Sequence, residues 1–197
     1  MDAAINLKVD GRAVQAERGG TILDVARTLG IKIPTLCQHD QLAPYGACRL
    51  CLVEIRRGKI SRLVAACGYY VEEGLEVLTD SERVRKVRRL MLELLLAMMP
   101  GSLEVQELAR QYGVTSSRYK RGLHYCILCG LCVRYCEEVK GRTCIGYVGR
   151  GVDREVAWIP LRGSDDACRI CAECQELCPT GVFPSNWGIA HNTILKK

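Results

Sequence analysis

The chain of 197 residues is 48% hydrophobic and 6% aromatic, carries a formal charge of +6 and contains thirteen cysteines. These values permit one large domain or two small ones with real cores, and they exclude a low-complexity polymer. The longest apolar stretch, from Leu90 to Met99, is interrupted by Glu93 and is about half of what a membrane helix needs, which excludes a transmembrane reading.

The opening residues Met1-Asp-Ala-Ala-Ile-Asn-Leu-Lys lack the uninterrupted apolar segment of a secretory signal. The thiols are therefore expected to stay reduced in a cytoplasmic setting. Residues 5–9 alternate apolar and polar, Asp10-Gly11 signals a tight turn, and residues 12–16 return, which predicts a β-hairpin. Thr21 caps a predicted helix through Leu29, whose Ile22, Val25, Ala26 and Leu29 share one face, with Gly30 as its stop. A second hairpin is predicted from residues 50–56 and 60–66 across Arg57-Gly58-Lys59, then a short strand over 75–78. Strands around one helix make a small α+β unit.

Ser81 is a good N-cap for a helix in which Val84, Val87, Leu90, Met91, Leu94 and Leu95 keep a helical period up to Met98, before Pro100-Gly101 breaks it. A second helix is predicted over 103–112, capped by Ser102. Beyond Gly113 come two cysteine runs, separated by a stretch in which Gly149-Arg150-Gly151 suits a hairpin turn.

The second run, Cys168-x2-Cys171-x2-Cys174-x3-Cys178-Pro179, has the spacing of the bacterial ferredoxin motif. The first, Cys126-x2-Cys129-x2-Cys132-x3-Cys136, repeats it with Glu137 in place of proline. Three thiolates two residues apart wrap one cube and leave the fourth cysteine of the run pointing to another. Crossover assigns Cys126, Cys129, Cys132 and Cys178 to one [4Fe–4S] cluster, and Cys136, Cys168, Cys171 and Cys174 to a second. Structural zinc uses the same ligand type, but as paired knuckles rather than triple runs. The N-terminal set Cys37-x10-Cys48-x2-Cys51-x15-Cys67 keeps the close pair and distant fourth ligand of a [2Fe–2S] site. Gly46 and Gly68 beside it are expected to permit tight turns whose amides reach the sulfur atoms. The same twelve cysteines would be the metal ligands through cluster iron. Each oxidised four-thiolate cluster carries roughly −2, so the basic run Arg83, Arg85, Lys86, Arg88 and Arg89 reads as counter-charge.

On Ile33-Pro-Thr-Leu-Cys37, Gly46-Ala-Cys-Arg-Leu-Cys51, Val71-Glu-Glu-Gly74, Thr79-Asp-Ser-Glu-Arg-Val84 and the run from Cys126 to Cys136, the chain resembles an iron–sulfur family. That family comprises the N-terminal region of the large NADH-dehydrogenase (complex I) subunit and the diaphorase iron–sulfur subunit of NAD-linked hydrogenases. The resemblance implies an N-terminal β-grasp [2Fe–2S] ferredoxin domain over 1–80, a helical connector over 81–115 and a two-[4Fe–4S] bacterial-ferredoxin-like domain over 116–197. It implies a hetero-oligomeric electron-transfer subunit of an NAD(H)-linked oxidoreductase of the hydrogenase, formate dehydrogenase or electron-bifurcating type. Single electrons would pass between a partner flavoprotein that handles NAD(H) and a further redox or catalytic subunit, with no catalytic site in this chain.

Where that family places a His-Pro and three cysteines for an intermediate cluster, this chain reads Met98-Met-Pro-Gly-Ser-Leu-Glu-Val-Gln-Glu-Leu108. The missing site suggests that the [2Fe–2S] domain is a side branch or a mobile carrier. The competing reading, an iron–sulfur redox-sensing regulatory module, draws on the basic run alone, and no nucleic acid is expected. No Gly-x-Gly-x-x-Gly after a strand and no P-loop is present. Cys144 is expected to be a buried small hydrophobe, and His39, His124 and His191 to be structural or to tune nearby clusters.

Overall fold

The computed structural model describes residues 4–120, 126–159, 171 and 173–181. Its first strands, β1 (Ile5–Val9) and β2 (Arg12–Ala16), pair antiparallel from Ile5 with Ala16 to Val9 with Arg12. The turn between them takes Asp10 and Gly11 to positive φ, 48° and 81°, the geometry expected of a two-residue hairpin loop. Inward-facing Ile5, Leu7 and Val9 are buried, and the residues between them face out.

Helix α1 (Ile22–Thr28) starts from a capping box in which Thr21 and Asp24 satisfy each other's main-chain amides. It ends one residue earlier than expected, with Leu29 as its C-cap. Strand β3 (Leu52–Arg57) begins after Leu50 and Cys51, which belong to the cysteine loop instead, and pairs antiparallel with β4 (Ile60–Ala65). The short β5 (Glu76–Leu78) slots between β1, to which it is parallel, and β3, to which it is antiparallel. The five-stranded sheet thus has the order β2-β1-β5-β3-β4. Its core is Val9, Ile22, Leu23, Val53, Leu75 and Val77, with Cys51 and Cys67 buried at the edge of the same cluster.

Helices α2 (Glu82–Met98) and α3 (Leu103–Gln111) follow, capped by Ser81 and Ser102, each hydroxyl accepting from the third helical amide. The fully buried stripe of α2 is Val84, Arg88, Leu92 and Leu95, rotated from the expected face, whose Val87, Leu90, Met91 and Leu94 are only half-buried. Arg88 causes the rotation, because its guanidinium is buried against the sheet domain. A second core joins both helices to the cysteine loops: Leu36, Leu42, Leu50, Leu92, Leu95, Val105, Ala109 and Leu131 pack with Cys37, Cys48 and Cys129.

The C-terminal part begins with the one-turn helix α4 (Leu131–Arg134), which widens into a π-helical turn over Tyr135–Val139. Strands β6 (Ile145–Val148) and β7 (Glu155–Trp158) form the hairpin expected across Gly149-Arg150-Gly151, and α5 (Glu173–Glu176) is a single turn between cysteines. Among the described residues no helix is long and apolar enough to cross a membrane.

Candidate metal centres

The first constellation sits at one end of the sheet. Cys37 lies in the loop after α1, Cys48 and Cys51 immediately before β3, and Cys67 just after β4, so sheet pairing of β3 with β4 carries the distant fourth cysteine to the other three. All four are buried. The sulfurs fall into two pairs, Cys37 with Cys48 and Cys51 with Cys67, each 3.4 Å apart. Two sulfurs on one tetrahedral metal at about 2.3 Å lie roughly 3.8 Å apart. Two pairs therefore suit a rhomb of two irons with two thiolates each, and the donor set fits a [2Fe–2S] group.

Main-chain amides converge on the sulfurs: Leu36 N–H donates to Cys48 Sγ at 3.5 Å and Cys48 N–H to Cys37 Sγ at 3.4 Å. The hydrogen bond from Cys37 holds the Cys48 thiol well below its ordinary range, and Cys67 does the same for Cys51. Turning the loop this tightly puts Arg49 at φ 56° and Gly46 at φ 70°, both left-handed. Gly68 N–H donates to the Ala65 carbonyl at 3.1 Å, closing the turn after β4.

Arg88 is the residue that sequence reading missed. Only 2% exposed, it donates to the carbonyls of Leu50, Leu52 and Thr79 at 3.1, 2.7 and 3.1 Å and to the Tyr112 hydroxyl at 3.3 Å. It clamps the main chain on both sides of Cys51. A signal existed, because Arg88 is four residues from both Val84 and Leu92 on the buried stripe.

In the second constellation, Cys126, Cys129 and Cys132 curl around a loop that needs left-handed backbone at Leu128 (φ 52°) and Gly130 (φ 77°). Leu128 N–H donates to Cys126 Sγ at 3.3 Å. Burial pushes the Cys129 thiol up to about 12, with neighbouring Cys126, Cys178 and Cys48 adding to the shift. Burial likewise raises Cys132, and Cys129, Cys126, Cys174 and Cys178 raise it further. Cys178 is the neighbour whose charge acts on all three cysteines of the first run. Thiols held protonated in this way must release protons to bind metal. The Tyr147 hydroxyl faces the same loop and stands 2.6 Å from where a Cβ on Gly130 would lie.

The third constellation draws on Cys136 from the π-helical turn and on Cys171 and Cys174 around α5. They line one cavity together with Tyr135, Lys140, Arg142, Ile145 and Cys144. Cys136 therefore lies with the second run rather than with its own. Cys168, His124 and His191 lie outside the described residues. Lys140 pairs with Glu173 at 2.6 Å, and the Tyr135 hydroxyl donates to the same carboxylate at 2.9 Å, fastening the turn to α5.

The first two constellations share a core. Cys37, Cys48 and Cys129 are buried in one cluster, and the charge of Cys48 reaches Cys129. Arg134 ties them further, donating to the Ala43 carbonyl at 2.7 Å and lying 5.2 Å over the Tyr45 ring. His39 packs edge-on against Tyr135 at 5.5 Å, and its Nδ1 accepts from the Gln41 amide, which is a structural role. The core that covers Cys48 also covers Cys129. A groove formed by α2, α3 and the segment after them is lined, among the described residues, by side chains including Leu96, Pro100, Gln106, Arg110 and Tyr119, with neither histidine nor cysteine.

Residues 2–82 match the family described as a 2Fe-2S iron-sulfur cluster binding domain. Among known proteins the chain is 35% identical to an NADH-quinone oxidoreductase subunit of Rhizobium meliloti (strain 1021), over 92% of its own length and 24% of that relative. It is 32% identical to the mitochondrial NADH-ubiquinone oxidoreductase 78 kDa subunit of Candida albicans, over 93% of its length and 29% of that relative. The chain thus spans 24% and 29% of the length of these relatives. Among solved structures, a chain of an NAD+-reducing [NiFe]-hydrogenase in the H2-reduced state superposes with a TM-score of 0.70 at 30% identity, covering 82% of this chain and 77% of that one.

Proposed function

The chain belongs to the iron–sulfur family that joins this hydrogenase chain to the NADH-quinone oxidoreductase large subunits, and from that premise we propose that it relays single electrons inside an NAD(H)-linked complex. A [2Fe–2S] cluster is the cofactor of its N-terminal domain. In our reading Cys37, Cys48, Cys51 and Cys67 hold it, Cys126, Cys129, Cys132 and Cys178 hold a first [4Fe–4S] cluster, and Cys136, Cys168, Cys171 and Cys174 a second. The clusters supply one-electron chemistry. The chain supplies burial, amide hydrogen bonds and fixed charge, which set the potentials. Residues 1–80, 81–115 and 116–197 then act as [2Fe–2S] domain, connector and two-cluster domain.

The observation that carries this reading is the common core of Cys37, Cys48 and Cys129. A relay needs its centres close and their separation fixed, and a shared core provides both. The partners in this reading are a flavoprotein that exchanges electrons with NAD(H) and a further redox subunit, in an assembly of hydrogenase, formate dehydrogenase or electron-bifurcating type.

The sensor reading fares worse. Its sequence support is the basic run alone, in which Arg83, Arg85 and Lys86 are exposed, Arg88 is buried and Arg89 donates to the Tyr112 carbonyl at 3.0 Å. To test the relay, the tagged chain is isolated anaerobically with its native partners and NADH is added. Bleaching of the iron–sulfur absorbance together with recovery of a flavin-bearing protein is the expected result. Salt-sensitive DNA binding that changes on oxidation, with no NADH-driven bleaching, would favour the sensor.

A further inference from the structure

From Cys48 to Ile55 every residue is buried except Arg49, which sits between two cysteines of the first constellation and reaches solvent. Its backbone is left-handed, at φ 56°, a conformation that costs an arginine free energy and suits glycine. Among the described residues the other non-glycines at positive φ are Asp10 and Leu128, and each is held there by a bond. The Asp10 carboxylate accepts from the Thr79 amide and hydroxyl at 2.8 and 2.5 Å, and Leu128 N–H donates to Cys126 Sγ. By contrast, no hydrogen bond or ion pair engages the Arg49 guanidinium among the described residues.

The turn folds this side chain back along its own loop, with Nη1 3.9 Å from where a Cβ on Gly46 would stand. Its charge reaches Cys51, adding to the Cys67 hydrogen bond that leads in holding that thiol low. On the buried side of the same stretch, Arg88 donates to the Leu50 and Leu52 carbonyls. Two cations therefore bracket the cysteine loop: Arg88, buried and hydrogen-bonded, and Arg49, exposed and uncompensated.

We propose that Arg49 sets the potential of the [2Fe–2S] centre, placed by its left-handed turn to favour the reduced form. The inference rests on the reading that Cys37, Cys48, Cys51 and Cys67 hold that cluster. With four thiolates the oxidised centre carries roughly −2, and one added electron makes it roughly −3. A fixed cation attracts the second state more strongly and so raises the midpoint potential, while no bond of Arg49 forms or breaks. Because Arg49 is exposed, salt screens the effect.

The test uses the full chain, purified anaerobically in native form and as Arg49→Gln, Arg49→Lys and Arg49→Gly. The [2Fe–2S] EPR signal of each is titrated with dithionite at low and at high ionic strength. In Arg49→Gln the equilibrium constant for reduction is expected to fall by about two- to tenfold at low salt, with the gap narrowing at high salt, while Arg49→Lys stays near native. Arg49→Gly removes the charge and relieves the backbone, so it should show the same fall without unfolding at a lower urea concentration. A native potential in Arg49→Gln overturns the proposal, as does a shift in Arg49→Lys as large as that in Arg49→Gln. If Arg49→Gln loses the signal by misfolding, Arg49→Gly decides in the same way. Cys51→Ala checks the underlying reading separately. A [2Fe–2S] signal that survives it overturns the ligand assignment and the inference together; a lost signal beside an unshifted Arg49→Gln overturns the role of Arg49 alone.

Discussion

Replacing Arg88 with methionine keeps most of the side chain's length while removing the buried guanidinium that spans Leu50, Leu52, Thr79 and Tyr112. Each charge-assisted hydrogen bond lost is worth about 1.5–3 kcal/mol, and three of the acceptors are main-chain carbonyls left inside the protein. Against this, methionine avoids the several kcal/mol needed to desolvate a buried cation. The net loss should be about 3–4 kcal/mol. Arg88→Lys keeps the charge but cannot span all four acceptors, and should fall between the methionine variant and the native protein. Anaerobic urea unfolding followed by visible CD reads this directly, as a midpoint lowered by about 1–2 M at a typical slope for a chain of this size. The [2Fe–2S] signal should disappear first, because the clamp flanks Cys51. A methionine variant within about 0.5 kcal/mol of native, with the [2Fe–2S] signal intact, would refute the claim that this arginine holds the cluster loop.

Cys51→Ala should cost about two irons per chain and abolish the [2Fe–2S] EPR signal, leaving the remaining iron in place. Glu54 accepts from the hydroxyls of Ser81 and Ser61 at 2.6 and 2.8 Å and pairs with Arg56, and the Ser81 hydroxyl leads the contacts that hold its carboxyl below its ordinary 4.5. A depressed carboxyl contributes stability above the unfolded value and loses it only as pH falls through the folded one. The penalty of Glu54→Gln, about 1–2 kcal/mol, should therefore be constant between about pH 7.5 and 5.5; a penalty that shrinks over that window in urea melts contradicts the assignment. Gly130→Ala places a Cβ 2.6 Å from the Tyr147 hydroxyl and 3.2 Å from the Tyr45 ring at a φ of +77°, and should lower stability by about 1–3 kcal/mol with reduced iron in the first [4Fe–4S] site.

Local chemistry made much of the fold readable. The Asp10-Gly11 turn and the caps Thr21, Ser81 and Ser102 act through a few neighbouring atoms, and each stands where residue type and spacing placed it. Cysteine spacing was similarly informative, because a loop of two residues between thiolates restricts what they can bind. Three features lay beyond that reach. Leu50 has strand-like neighbours but is claimed by the Cys48–Cys51 loop, and Arg88 carries a charge that hydropathy assigns to the surface, whereas four acceptors bring it inside. The meeting of Cys48 with Cys129 depends on helices α2 and α3 folding back over both loops, a long-range contact with no local signature. Cys144 is buried as its apolar surroundings suggested, while its place beside Cys136 follows from the π-helical turn.

The central claim is that one chain carries three clusters with the [2Fe–2S] centre packed against the first [4Fe–4S] centre. Power-saturation EPR of the anaerobically purified, fully reduced chain, with iron measured on the same sample, tests it most directly. The account predicts about ten irons per chain and a [2Fe–2S] signal whose spin relaxation is accelerated by a neighbouring reduced cluster. About two irons with a slowly relaxing, magnetically isolated [2Fe–2S] signal would contradict it.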